Sequence, residues 1–284
     1  MTGFDPRITP ARPDLAAAHL RGRIAADRYA APTRMRVAAP LLDMFAGPDG
    51  SGALTTQLLH GEAVDLYAAD PGSGMAWVQN AADGYVGYVA GAGLAPDEAG
   101  PDDDPAPEFL VTGRGTQLYA APGLKQVPCG ALPWLARVRV AEERDGYARL
   151  GCGRWCPRPL LGRAAPGDFV AVAERLVGVP YLWGGRSQAG LDCSALVQLA
   201  LAATGVAAPR DSDQQQALGA PADGACRRGD LLFWRGHVAI VAAPDTLLHA
   251  NAHHMAVAIE PLRPALARIA ATDTGPVTAA RRLA

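Results

Sequence analysis

The chain has 284 residues, of which 49% are hydrophobic and 19% charged, and its formal net charge is -2. That length exceeds one ordinary domain, and the apolar content is enough to bury real cores. A disordered chain would be more charged and less apolar, and a nucleic-acid binder would carry a basic excess, so neither class fits and no nucleic-acid partner is expected.

The first residues, MTGFDPRITPARPDLAAAHL, lack the basic start, apolar run and small-residue cleavage site of a secretory signal. No later stretch approaches the roughly 18 consecutive apolar residues of a membrane span. A cytoplasmic protein with no membrane partner is the expectation, and the oligomeric state stays open. Residues 1–34 read as an N-terminal extension with a helix: Asp14 can cap it, and Ala16, Ala17, Leu20 and Ile24 recur at helical spacing over 14–29. Across 35–96 the pattern changes to short apolar runs broken by GPDGSG, DPGSG, ADGY and AGAG, which predicts a small β-barrel. Residues 97–107 are acidic and proline-rich, as a linker would be. A second all-β segment is predicted over 108–162. It shares a loose plan with the first, including a DGY turn at Asp83 to Tyr85 in one and Asp145 to Tyr147 in the other.

Residues 165–284 differ in character. A helical spacing places Phe169, Val172, Ala173 and Leu176 on one side, and a second helix is predicted from Asp192. Strands are then expected at 231–234, 237–242, 246–251 and 257–262, separated by turns. Helices followed by an antiparallel sheet make an α+β domain. The five cysteines, Cys129, Cys152, Cys156, Cys193 and Cys226, are odd in number and irregularly spaced, which argues against a disulfide framework.

One of those cysteines stands in a chemically distinctive place. Asp192 is a good N-cap, so Cys193 falls in the first turn of an apolar helix, where unpaired N–H groups and the positive helix end favour a thiolate. His237 begins a predicted strand and His249 lies in the next one. In an antiparallel hairpin the two can share a face, with His237 as base and His249 orienting it.

The run Tyr181-Leu182-Trp183-Gly184-Gly185, the Asp192-Cys193-Ser194 helix start, Arg210-Asp211-Ser212, Gly229 to Phe233 and Gly236-His237-Val238 occur in one order. Together, over about 165–262, they resemble the NlpC family of papain-like cell-wall cysteine peptidases, and the two β-segments in front resemble bacterial SH3-like domains. The resemblance implies a papain-like domain with helices packed on an antiparallel sheet, preceded by two SH3-like barrels. It implies hydrolysis of the γ-D-glutamyl-meso-diaminopimelate bond in short peptidoglycan peptides, with Cys193 as nucleophile, His237 as base and His249 as orienting residue. It also assigns Tyr181, Asp192, Ser194, Arg210 and Ser212 to substrate binding. Tyr181 can donate near the oxyanion, Asp192 can meet an ammonium, and Arg210 can pair with the D-glutamate α-carboxylate. One departure is Ala195, where the family commonly has glycine.

In multidomain members the resemblance further implies that the first SH3-like domain reads the free amine of an N-terminal L-alanine. The candidates here are Glu62, Tyr85 and Tyr88. Recognition of uncapped peptides points to recycling of wall fragments inside the cell. No cofactor is expected, and neither the cluster His249, His253, His254 nor the pair Cys152 and Cys156 has the spacing of a metal motif. The rival readings are a wall-binding protein with a vestigial catalytic half, and an amidase or acyltransferase using the same cysteine and histidine.

Overall fold

The computed structural model describes residues 3–97 and 108–283; residues 98–107, nearly all of the expected linker, lie outside the described residues. The chain divides into two compact units, Met1–Arg163 and Ala164–Ala284.

The first unit contains two β-modules. One is a seven-stranded sheet with the order Leu94–Pro96, Thr33–Val37, Ala63–Ala69, Met75–Asn80, Val86–Ala90, Leu41–Phe45, Leu54–Leu59. It closes on a core of Val37, Met44, Leu58, Val64, Val78 and Val89. The other is a five-stranded sheet plus the hairpin Thr116–Leu118 with Gly130–Leu132, around a separate core that includes Val111, Val138 and Leu150. Its DGY turn is a two-residue hairpin: Arg144 pairs with Tyr147, and Asp145 and Gly146 both take positive φ, as the twist of a tight hairpin demands.

The expected helix over 14–29 is not there. Leu15–Ala17 is instead a strand running parallel to Arg28–Ala30, followed by one 3-10 turn at Ala18–Leu20. Asp14 does not cap. Its two carboxylate oxygens accept from the Arg12 guanidinium, each at 2.9 Å, and the carbonyl of Pro13 takes the amide of Asp27. Of the residues that suggested a helical face, Ala16, Ala17 and Leu20 are buried and Ile24 half-buried, but in a small cluster with Tyr29 and Tyr67. Gly22, at φ +78°, turns the chain where a helix would have continued.

The second unit has a six-stranded sheet in the order Ala220–Pro221, Ala279–Arg282, Asp230–Trp234, His237–Ala243, Thr246–Asn251, Ala256–Pro261, antiparallel throughout. The sequence did not signal the strand at Ala279–Arg282. It is joined to its neighbour by the Arg282–Asp230 ion pair at 2.6 Å. Four helices accompany the sheet: α1 (Phe169–Glu174), α2 (Cys193–Ala203), α3 (Ser212–Gln215) and α4 (Leu262–Ala270). Every residue of α2 from Cys193 to Leu201 is buried, so the helix is apolar all round because it is enclosed. It lies against the strands His237–Ala243 and Thr246–Asn251. On the sheet's other face Trp234, Ala239, Val241 and Leu247 meet Leu262, Ala265 and Ile269 of α4. By strand alternation His237 and His249 belong to this α4 face, while the start of α2 reaches the strands from the other side.

Within the first unit the two β-modules touch where the Arg137 amide donates to the His60 carbonyl at 2.8 Å. Gly61 sits there at φ +79°, and a Cβ on it would come within 2.1 Å of the Arg137 carbonyl oxygen. Gly61→Ala is therefore expected to destabilise the protein by ~3 kcal/mol, combining backbone strain and steric displacement. An unchanged denaturation midpoint would show that this approach is not tight.

Candidate active site

The site is organised by the start of α2. Asp192 precedes it in extended backbone, and its Oδ1 accepts from the Ala195 amide at 2.8 Å. The same oxygen takes Arg210 Nη1 at 3.0 Å and Ser194 Oγ at 3.2 Å, while Oδ2 takes the Gly184 amide at 3.0 Å and Arg210 Nη2 at 2.5 Å. Arg210 Nη1 also donates to Ser194 Oγ at 2.9 Å, and Gln215 Nε2 of α3 donates to the Ser194 carbonyl at 2.9 Å. Arg210 is 1% exposed, so this is a buried, forked ion pair and not a surface contact. Ser212, the first residue of α3, is buried nearby in sequence. Ala195, fully buried, supplies the capped amide with its methyl group accommodated.

The Tyr-x-Trp-Gly-Gly run is shaped by close approach. Gly184 takes φ +75°, and a Cβ on Gly190 would lie 2.4 Å from that of Leu182. Tyr181 is pinned from both sides: its amide donates to the Met255 carbonyl at 2.9 Å, and it bridges in parallel to Leu191. Burial, then the neighbouring Cys193 and Asp192, push its phenol up to about 12, which keeps the O–H as a donor.

Cys193 is 7% exposed. Burial, then Asp192, push its thiol up to about 12, against the Val238 backbone amide and Arg210, which act the other way. The bond from Val238 places the sulfur beside the start of the His237 strand. His237 packs obliquely on Trp234, with ring centroids 5.5 Å apart. Its Nε2 lies 2.8 Å from His249 Nδ1, and His249 Nε2 lies 2.7 Å from Glu260 Oε1. Glu260 is in turn bonded by Arg268 of α4. Burial, then the charges of His249 and Arg268, drive His237 down to about 3. His249 is lowered as well, chiefly by burial. Burial works to raise the Glu260 carboxyl, but its bonds from Arg268 and His249 outweigh it and hold the group below the usual carboxylate range.

At rest the Cys193 thiol is thus protonated and the His237 imidazole neutral, the charge states of a nucleophile and its base. A cleft of about 470 Å³ runs along the histidines, lined also by Tyr181, Asn251, Arg268 and Thr272. Among the described residues no group of three His, Cys, Asp or Glu side chains is placed to hold a metal.

The structure therefore brings together Cys193, Tyr181, Asp192, Ser194 and Arg210, and separately joins His237 to His249. Glu62, Tyr85 and Tyr88 have different surroundings in the first β-module. Tyr85 is buried in the apolar core, and Glu62 is buried with Oε2 accepting from the Leu59 amide at 2.9 Å. Tyr88 faces away from that core, opposite Trp77, and its hydroxyl accepts from Arg12 at 2.8 Å. Two residues of the site went unnoticed in the sequence, Glu260 and Arg268. The signal for Glu260 was hairpin register: Leu247 pairs with Glu260 and His249 with Ala258, so His249 and Glu260 are diagonal neighbours on one face.

Residues 178–269 match the family described as NlpC/P60, and residues 44–94 match the bacterial dipeptidyl-peptidase SH3 domain. The chain carries an NlpC/P60 domain. The candidate site lies inside the matched region, and the first β-module contains the SH3 match. Among curated proteins, the γ-D-glutamyl-L-lysine dipeptidyl-peptidase of Bacillus subtilis is 37% identical over 160 residues, covering 50% of this chain and 53% of that protein. Its namesake in Bacillus cereus is 27% identical over 201 residues, covering 63% and 60%. Dipeptidyl-peptidase 6 of Lysinibacillus sphaericus is 32% identical over 128 residues, covering 42% and 45%. The matches thus span about half the length of these relatives. The crystal structure of an NlpC/P60 family protein from Bacillus cereus shares the fold, with a TM-score of 0.73 at 21% identity over 88% of this chain and 99% of that one.

Two outcomes follow from the NlpC/P60 site. Asp192→Asn leaves the Arg210 guanidinium buried without its counter-charge and is expected to cost ~3–5 kcal/mol in urea unfolding; a loss below ~1 kcal/mol would mean the pair is not a structural hub. Because the neutral form of His237 is the base and its protonation is pushed down, the acid limb of kcat/KM should lie well below the ordinary imidazole value of 6.5. An acid limb at or above that value would contradict a buried, neutral His237.

Proposed function

We propose that the protein is a cysteine endopeptidase that hydrolyses the γ-D-glutamyl bond to the diamino acid in short peptidoglycan peptides. The observation that carries this reading is the Cys193 thiol at a helix start, bonded by the amide next to His237, in an NlpC/P60 domain whose relatives are named peptidases. In the proposed reaction, His237 Nδ1 takes the thiol proton as the sulfur attacks the amide carbon. The developing oxyanion is met by the Tyr181 hydroxyl and by the Cys193 backbone N–H at the start of α2. The imidazolium then gives its proton to the departing amine of the diamino acid. Water, deprotonated by the same histidine, hydrolyses the thioester and restores the thiol.

For the glutamyl side, the proposal assigns Ser194, Ser212 and Arg210 to the α-carboxylate, with Asp192 acting through the geometry of that wall. The second β-module, 108–162, is proposed as a second SH3-like domain alongside the matched one. The front modules are proposed to select a free N-terminal amine, with Glu62 as the anionic candidate. The Tyr88 hydroxyl would have to exchange Arg12 for substrate, and buried Tyr85 can act only by shaping the module. Peptides with a free alanine amine are products of wall turnover from which the sugar has been removed. The proposed role is therefore recycling, and its proposed setting is the cytoplasm.

Mass spectrometry of L-Ala-γ-D-Glu-meso-diaminopimelate incubated with the protein, with and without an N-acetyl cap, tests this directly. Release of diaminopimelate from the uncapped peptide alone, absent with Cys193→Ala, is the expected result. The lysine peptide forms a second arm, because two relatives carry L-lysine in their names. Equal cleavage of capped and uncapped peptides would remove amine selection. No cleavage of any peptide under reducing conditions would sink the endopeptidase reading in favour of a vestigial or acyl-transferring site.

A further inference from the structure

We propose that Glu260, held by Arg268, fixes the tautomers of both histidines and so makes His237 Nδ1 the basic nitrogen of the site. Donors and acceptors must alternate along the line of these three groups. An ionised carboxylate only accepts, so the 2.7 Å contact between Glu260 Oε1 and His249 Nε2 requires a proton on that nitrogen. A neutral imidazole carries one proton, which leaves His249 Nδ1 as a bare acceptor. The 2.8 Å contact between His249 Nδ1 and His237 Nε2 must then be donated by His237 Nε2. The single proton of His237 is accounted for, and its Nδ1 lone pair is free to receive the thiol proton.

Reversing the line shows why the carboxylate matters. Two neutral histidines at this distance can bond equally well with His249 Nδ1 as donor and His237 Nε2 as acceptor. His237 would then hold its proton on Nδ1, where it cannot act as base. The pair alone has no preference between these states; the acceptor-only group at its far end supplies one. Arg268 matters because it keeps that group ionised and aimed: its guanidinium bonds the same Oε1 that faces His249. The side chains are 12% exposed for Glu260 and 0% for His249, so water has little access to substitute for the carboxylate. Glu260 touches neither substrate nor sulfur in this scheme and is a positioning residue. Its catalytic consequence rests on the cysteine-peptidase reading, but the tautomer assignment does not.

The test therefore has a readout that needs no substrate. Long-range 1H–15N correlation spectra of 15N-histidine-labelled full-length protein, at neutral pH, are expected to show both His237 and His249 protonated on Nε2. Glu260→Gln presents an amide that can donate as well as accept. It should bring the Nδ1–H form of His237 into view while lowering kcat about 10- to 100-fold with KM nearly unchanged. Arg268→Lys, which retains a cation beside the carboxylate, should keep the wild-type tautomers and most of kcat. An Nδ1 proton on His237 in the wild type would overturn the proposal, as would Glu260→Gln with unaltered tautomers and unaltered kcat. If Glu260→Gln does not fold, Arg268→Met serves in its place: it is expected to move the same imidazole signals, and unaltered signals would count against the clamp. Cleavage of no peptide, with the tautomers as described, would refute the function and leave the assignment standing.

Discussion

The carboxylate of Asp192 is the fixed point of the catalytic unit. It accepts from the amides of Gly184 and Ala195, from the Ser194 hydroxyl and from both terminal nitrogens of Arg210. Those donors come from the glycine turn, the first turn of α2 and the loop before α3. A helix cap alone is worth ~1 kcal/mol. Here the cap is also the counter-ion of a guanidinium that is 1% exposed, so removing it would leave a charge buried without compensation. The position of Cys193 is set by this network, because the residue sits between the cap and the capped amide.

The histidines are positioned by a different kind of constraint, the register of three consecutive antiparallel strands. Ile240 pairs with Leu248, and Leu248 with Ile259. With side chains alternating along each strand, His237, His249 and Glu260 all fall on the α4 face. A one-residue slip in either hairpin would turn an imidazole or the carboxylate to the opposite face and break the line. Arg268 then closes it from the helix that covers that face, so the packing of Leu262, Ala265 and Ile269 also governs the chemistry.

How much of this could be read from the sequence depended on how locally each feature is specified. Cys193 and its cap were legible because the helix start is written in adjacent residues, Asp192 followed by an apolar run. The pairing of His237 with His249 was legible because a short hairpin leaves few registers. Glu260 is only one strand further on, but an isolated glutamate carries no sign of what it faces until the register is fixed. Arg210 is legible as a cation suited to a carboxylate, but its fork onto Asp192 is not, because the two are 18 residues apart and meet only through the fold. At 14–29 the local pattern misleads: small apolar residues recur at helical spacing without forming a helix. Ala16 and Ala17 are buried as neighbours in a strand, where proline, an Arg12–Asp14 pair and a left-handed glycine govern the backbone.

The charges around the reacting pair have a common logic. Both full ion pairs, Asp192 with Arg210 and Glu260 with Arg268, flank the Cys193 and His237 groups, which themselves rest uncharged. Attack by sulfur must create an imidazolium and an oxyanion in a site that disfavours isolated charge. On the histidine side, Glu260 already stands behind His249 and raises the affinity of His237 for a proton. On the sulfur side, the Val238 and Ser194 amides and Arg210 favour the anion, and the positive end of α2 acts the same way. Burial alone would forbid the charge separation. The fixed dipoles and ion pairs make it accessible in the transition state without stabilising it at rest, which is the condition for lowering a barrier as opposed to deepening a ground state.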